Sequence, residues 1–126
     1  MNPQRKYAIL DRFFGAVEAG DIETAAEIYA PNVGIWHNFD GVTQSREESL
    51  RTLRWMCKKL AGRCYEEIRR AELDDGRVFQ QHVLRGKTPN GDALEVPACI
   101  VVTFDGERIA RVEEYLDSAQ VAVLRL

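Results

Sequence analysis

The sequence predicts a single α+β domain in which N-terminal helices cover one face of a curved, mostly antiparallel β-sheet. The apolar pattern has helical 3–4 spacing in the first half of the chain and becomes extended from Cys64 onward. Hairpin-type turns at Asp75-Gly76, Asn90-Gly91 and Asp105-Gly106 separate the extended runs. Helices followed by a meander are typical of an α+β fold. A chain of 126 residues is long enough to form one such domain with its own core.

The first half predicts three helices. An apolar stripe on the first helix, which Gly20 terminates, consists of Ile9, Leu10, Phe13, Phe14 and Val17. Asp21 is suited to cap a second helix, IETAAEIYA, which ends against Pro31. Ser45, with Glu48 three residues later, forms a capping box in front of a third and longer helix.

The second half predicts the sheet. Four long strands and one earlier short strand are expected over about 64–73, 77–87, 93–104, 108–117 and 33–39. Because antiparallel sheets curl, helices laid across one face leave a cone-like hollow that can hold a small molecule. Pro97 falls in the third long strand, and since proline lacks an N–H we expect a bulge or an unpaired stretch there.

Charge and cysteine usage narrow the class of protein. The 17 basic and 20 acidic residues give a net charge of −3, which offers no electrostatic reason to expect nucleic acid or an anionic membrane. Cys57, Cys64 and Cys99 lack CxxC spacing and suit reduced thiols better than disulfides or a zinc site. The N-terminal apolar run is short, flanked by charges and lacks a cleavage site, so it is neither a signal peptide nor a membrane span. We therefore expect a cytoplasmic protein.

The order of elements and the last strand carry a family resemblance. The stretch YAPNVGIWHN follows two helices and precedes a third, and the last strand reads G-x-R-I-x-x-x-x-E-Y-x-D from Gly106 to Asp117. On these residues the chain resembles the SnoaL-like and ketosteroid-isomerase-like branch of the nuclear transport factor 2 (NTF2-like) superfamily, over nearly its entire length. The resemblance implies a cone-shaped, cystatin-like fold that encloses a pocket. It also implies cofactor-independent chemistry of the isomerase, cyclase, dehydratase or epoxide-hydrolase type, although the superfamily includes non-catalytic binding modules.

The resemblance places functional groups on the short strand that contains Trp36, His37 and Asn38. The base of the isomerases falls on His37 or, with a one-residue shift, on Asn38, so the isomerase carboxylate is missing here. The water-holding pair of the epoxide hydrolases falls on Trp36 and Asn38. With an ordinary pKa of about 6.5, His37 is suited to acid–base work near neutral pH. Alternation places His37 on the face opposite Trp36 and Asn38, and composition does not decide which face lines the pocket.

A second place is the strand VFQQHVLRG. An Arg and Asp pair of the epoxide hydrolases corresponds here to Gln80 and His82, so the hydrolase groups themselves are absent. Two successive glutamines, Gln80 and Gln81, are unusual in a central strand because a buried amide needs partners or water. A wet pocket would satisfy them, and the alternative is an edge or solvent-facing strand.

The third place is the last strand, where Glu114 corresponds to an Asp of the hydrolases and Leu116 lies near a pocket Trp of the isomerases. Glu114 shares a face with Val112 and Leu116. A carboxylate among apolar neighbours is suited to proton transfer or to holding a histidine. The alternative for Glu114 is a salt bridge to Arg85 or Arg108.

The candidate site consists of catalytic and substrate-binding residues. His37, His82 and Glu114 are the predicted catalytic residues, and the predicted substrate-binding residues are Phe14, Trp36, Asn38, Trp55, Gln80, Leu116 and Asp117. Asp117 ends the last strand, where helix capping is the alternative role. We expect a small apolar organic ligand, cyclic or polyketide-like, no metal and no cofactor. We also expect a homodimer through the exposed sheet face, where Cys99, Val101 and Tyr115 offer apolar surface.

Overall fold

The computed structural model describes residues 1–125 and confirms the predicted α+β class, with helices on one face of a curved, open sheet. The helices are α1 (Pro3–Ala19), α2 (Ile22–Ile28), α3 (Arg46–Lys59) and α4 (Ser118–Val121), and a 3-10 turn follows over Ala122–Arg125. The strands are β1 (Tyr29–His37), β2 (Thr43–Gln44), β3 (Ala61–Glu72), β4 (Val78–Lys87), β5 (Ala93–Asp105) and β6 (Arg108–Leu116). None of the helices in this part of the chain is long and apolar enough to cross a bilayer.

Three of the helix signals in the sequence are confirmed, whereas α2 ends at Ile28 and not against Pro31, because Tyr29 and Ala30 already belong to β1. Gly20 ends α1 in the left-handed conformation, with φ of 75°, and its N–H reaches the last carbonyls of the helix. The Asp21 side chain accepts from Thr24 N at 3.2 Å and caps α2. At α3 both bonds of the capping box between Ser45 and Glu48 are present.

The sheet has the strand order β2-β1-β6-β5-β4-β3. Strand β1 is parallel to β6, and all the other neighbours are antiparallel. Strand β1 begins at Tyr29, earlier than the predicted residue 33, because the register with β6 shifts between Tyr29 and Gly34 and lets the chain pass Pro31. This parallel pairing places the short strand beside the last strand, so residues far apart in sequence become neighbours.

Of the two alternatives expected at Pro97, the bulge is wrong and the unpaired stretch is confirmed on the side of β6. Pro97 pairs with Val83 in continuous register, and the irregularity of β5 lies at its far end, between Thr103 and Phe104. The pairing of β5 with β6 ends at Ala98, so no donor is required of Pro97 on that side.

The core lies between the concave face of the sheet and the helices. One apolar cluster joins α1, α2 and the central strands, and its most buried members include Leu10, Val17, Val78, Val102 and Ile109. A second cluster lies at the other end of the concave face and consists of Leu60, Leu84, Leu94, Val96 and Leu124. Both clusters contribute side chains to one internal cavity, which positions the candidate site.

Candidate functional site

A cavity of about 190 Å³ lies between the concave sheet face and helices α1 and α3, and the C-terminal turn contributes to its wall. Most of its lining is apolar. The polar side chains that matter for chemistry are Tyr29, His37, Ser49, Tyr65, His82 and Glu114. An apolar chamber with a few convergent polar groups is the usual form of a small-molecule site.

His37 and Glu114 form a pair on the cavity wall. They are Cα partners across the parallel pairing of β1 with β6, so both side chains lie on the same sheet face. His37 Nε2 lies 3.2 Å from Glu114 Oε1, and the two side chains are 13% and 26% exposed. Arg85, one alternative partner, instead pairs with glutamates on the sheet surface, Glu67 and Glu95 among them.

The environment changes the proton affinity of His37. Burial by itself would lower its pKa, but the hydrogen bond and charge of Glu114, together with the charge of Asp40, outweigh burial and raise the pKa above its usual value. His37 therefore keeps its proton to higher pH than an ordinary histidine does, and a carboxylate holds its ring in place.

His82 lies deeper in the same cavity. It is 4% exposed, and its ring packs against Phe14 and edge-on against Tyr65, with centroids 5.3 and 5.1 Å away. Burial lowers the pKa of His82, and the charge of Arg70 lowers it further against the opposing effect of Glu114. His82 is thus an uncharged imidazole at neutral pH, and Gln80 Nε2 lies 2.7 Å from its Nδ1.

Two tyrosines in the cavity wall were missed by the sequence analysis. Tyr29 hydroxyl lies 2.9 Å from Ser49 Oγ, and burial raises the pKa of Tyr29 to about 12. Burial also raises the pKa of Tyr65, and the charge of Glu114 adds to this. Ser49, Leu53 and Met56 all line the cavity, so helical spacing on α3 was the signal that could have identified Ser49.

Six of the ten predicted site residues line the cavity: His37, His82, Glu114, Phe14, Trp55 and Leu116. Trp36 does not, because strand alternation turns it to the convex face, where its ring contacts that of Tyr115 at 5.3 Å. The face of β1 that lines the cavity is the other one, which presents Ile35 and His37.

The remaining three predicted residues, Asn38, Gln80 and Asp117, lie outside the cavity lining. Asn38 follows β1, and its side-chain oxygen accepts a hydrogen bond from Leu116 N at 3.0 Å, which ties the strand ends together. Asp117 accepts from Ala119 N at 2.9 Å and caps α4, the alternative that the sequence had left open. Gln80 is fully buried beside His82 and satisfies its amide within the protein.

The two histidines give the cavity complementary acid–base properties. One imidazole has a raised pKa and a carboxylate partner, and the other has a lowered pKa and apolar surroundings. Titratable groups whose environments push their pKa values apart are suited to divide a proton transfer between them.

Comparison with known proteins identifies the class. The model of the SnoaL-like domain matches residues 10–112, which is most of the chain, and the protein therefore belongs to the SnoaL-like family. A comparison with curated protein sequences finds no match.

Solved structures show the same fold at low sequence identity. A proposed polyketide cyclase of Xanthomonas campestris is 23% identical, with a TM-score of 0.82 over 96% of this chain and 99% of that chain. SalBIII, an epoxide hydrolase/cyclase-like enzyme in pyran ring formation in salinomycin, is 18% identical, with a TM-score of 0.82 over 94% and 95%. An NTF2-like protein of Burkholderia xenovorans is 18% identical, with a TM-score of 0.74 over 97% and 96%. These similarities confirm the NTF2-like fold.

Proposed function

We propose that this protein is a cofactor-independent acid–base enzyme that transfers a proton on a small, largely apolar carbonyl compound. The observation that carries the proposal is the presence of two imidazoles with oppositely shifted pKa values in one apolar cavity. The epoxide hydrolase/cyclase-like and cyclase neighbours support a small organic substrate for this fold.

The roles follow from the surroundings of each group. The His37–Glu114 pair takes a proton from the carbon next to the carbonyl, and Glu114 stabilises the imidazolium that forms. His82 lies deeper and donates a hydrogen bond to the carbonyl oxygen, where negative charge develops. Isomerisation, aldol-type cyclisation and dehydration share this proton-transfer step.

The size of the cavity indicates the size of the substrate. At about 190 Å³ it is smaller than the roughly 300–1,000 Å³ of pockets for drug-sized ligands. It is somewhat larger than the roughly 150 Å³ cavity that holds benzene. A substrate with about one ring is therefore the best fit, and the cavity is too small for several fused rings.

Hydrogen exchange on a simple ketone tests the proposal without knowledge of the natural substrate. Cyclohexanone is incubated with the protein in D₂O, and NMR follows exchange of the hydrogens next to its carbonyl. We expect saturable exchange above the buffer rate, and His37→Gln to lower it about 10²–10⁴-fold. Trp36→Phe, one residue away on the convex face, is the control and should leave exchange unchanged. If cyclohexanone binds but its hydrogens exchange no faster than in buffer, the proposed proton transfer is contradicted and the protein is a binding module.

We also propose that two copies associate through the convex sheet face. Tyr115 is 44% exposed there beside Trp36, and Cys99 is its partner across the pairing of β5 with β6. Exposed large apolar groups on a sheet face are typical of protein contacts. Light scattering should show a dimer that Tyr115→Glu dissociates, and a monomer at high concentration would contradict this.

A further inference from the structure

A chain of hydrogen bonds leads from the protein surface to the inner histidine. Arg70 on β3 donates from Nε to Gln80 Oε1 at 2.7 Å, and Gln80 Nε2 lies 2.7 Å from His82 Nδ1. Arg70 Nη1 also donates to Asp11 Oδ1 at 2.7 Å, which anchors the guanidinium to α1. Gln80 is fully buried and the Arg70 side chain is 11% exposed, so the chain of contacts is shielded from solvent.

Because the first donor is a guanidinium, its chemistry determines which atoms of Gln80 and His82 carry a proton. A guanidinium donates and never accepts, so the group of Gln80 that faces Arg70 is its carbonyl oxygen. The amide NH₂ of Gln80 therefore faces His82 and donates to Nδ1, which is unprotonated. In a neutral imidazole with Nδ1 unprotonated, the proton is on Nε2.

We propose that Arg70 and Gln80 are positioning residues that hold His82 in its Nε2–H tautomer, so that it serves as a permanent hydrogen-bond donor to the substrate. Protonation of Nδ1 would bring its N–H against the NH₂ of Gln80, and two donors cannot bond. The imidazolium form is disfavoured for that reason, in addition to the burial of the ring.

The charged and titratable groups that face His82 fit this assignment. Arg70 and Tyr65 approach from β3, Glu114 comes from β6, and α1 presents the apolar ring of Phe14. Arg70 opposes a charge on His82 and Glu114 favours one, and the lowered pKa of His82 shows that burial and Arg70 prevail.

Burial of the Arg70 guanidinium costs free energy that a purely structural role does not explain. Its Nη2 is buried without a hydrogen-bond partner among residues 1–125. An unpaired buried donor costs free energy that an apolar side chain at this position would not. Control of the Gln80 amide accounts for a guanidinium here.

The consequence for catalysis rests on the proposed function. A neutral imidazole that donates from Nε2 stabilises a developing enolate oxygen without transferring its proton to it. The proton abstracted from carbon then stays with the His37–Glu114 pair, which returns it elsewhere on the substrate. The two histidines thus have separate tasks.

The test combines a spectroscopic and a kinetic measurement. In ¹⁵N-labelled protein, long-range ¹H–¹⁵N NMR spectra report which ring nitrogen of His82 is protonated. We expect Nε2–H with bare Nδ1 from mildly acidic to mildly basic pH. Gln80→Glu is nearly isosteric and replaces the donor by an acceptor, so we expect it to move the proton to Nδ1 and raise the pKa of His82. Gln81→Glu adds the same charge at the exposed neighbouring position and should keep the wild-type signature.

Ketone exchange gives the second readout. At mildly basic pH, where the spectra show His82 of the variant to be neutral, Gln80→Glu should lower the exchange rate about 10²–10³-fold, the loss typical of one misdirected oxyanion donor. Cyclohexanone should still bind, and the titration of His37 should be retained. Wild-type protein with a proton on Nδ1 would overturn the proposal, even if Gln80→Glu failed to fold. An altered tautomer in Gln80→Glu with unchanged exchange would overturn the positioning role. If the wild type catalyses no exchange, the proposed function fails, whereas the spectra still decide the tautomer.

Discussion

Filling the cavity should stabilise the protein and abolish ligand binding. Ala98 lies on the cavity wall between Val96 and Ile100 on the same face of β5, and it pairs with His82. A void of about 190 Å³, at about 24 cal/mol per Å³, sets an upper limit of about 4–5 kcal/mol on the free energy of unfolding that filling could add. Ala98→Leu adds three carbons, which at about 0.8 kcal/mol each contribute about 2.4 kcal/mol.

Strain offsets part of that gain, so we expect Ala98→Leu to raise the free energy of unfolding by about 1–2 kcal/mol. Urea denaturation measures this change, and saturation-transfer NMR with cyclohexanone measures the accompanying loss of binding. Ala71→Leu, at an exposed position on β3, is the matched control and should change stability by no more than about 0.5 kcal/mol. A variant at Ala98 that is destabilised by more than 1 kcal/mol and still binds the ketone would refute the cavity as described.

Three further outcomes follow from the site and its supports. Glu114→Gln removes the negative charge that opposes the effect of burial and leaves only a neutral amide oxygen as acceptor. The pKa of His37 should therefore fall in an NMR titration, whereas Glu113→Gln on the opposite face should leave it raised. Because the folded state raises the pKa of His37, its contribution to stability is full below the unfolded value of about 6.5 and is lost as pH rises through the folded value. Urea denaturation of wild type and Glu114→Gln over this range measures the difference, and parallel curves would contradict the coupling. Gly86→Ala should lower the free energy of unfolding by about 1–3 kcal/mol in the same assay, because its Cβ would lie 2.6 Å from Leu60 Cγ in the core. Unchanged stability would contradict this and show that Leu60 moves aside.

Local signals in the sequence determined most of the elements. Caps at Asp21 and Ser45, the stop at Gly20 and the Asn-Gly and Asp-Gly turns act within three or four residues, so short-range hydrogen bonding and backbone sterics make them readable. Glu114 could also be predicted from the sequence, because it lies within the contiguous family pattern of the last strand.

Tertiary structure alone decided which faces met. The parallel register of β1 with β6 placed His37 beside Glu114 and sent Trp36 to the convex side, because a strand has two faces and only its partners show which is covered. The control of His82 by Arg70 through Gln80 depends on the pairing of β3 with β4, ten residues apart across a hairpin. The position of the proton on His82 follows from such contacts between side chains, and these contacts cannot be read from the order of residues in the sequence.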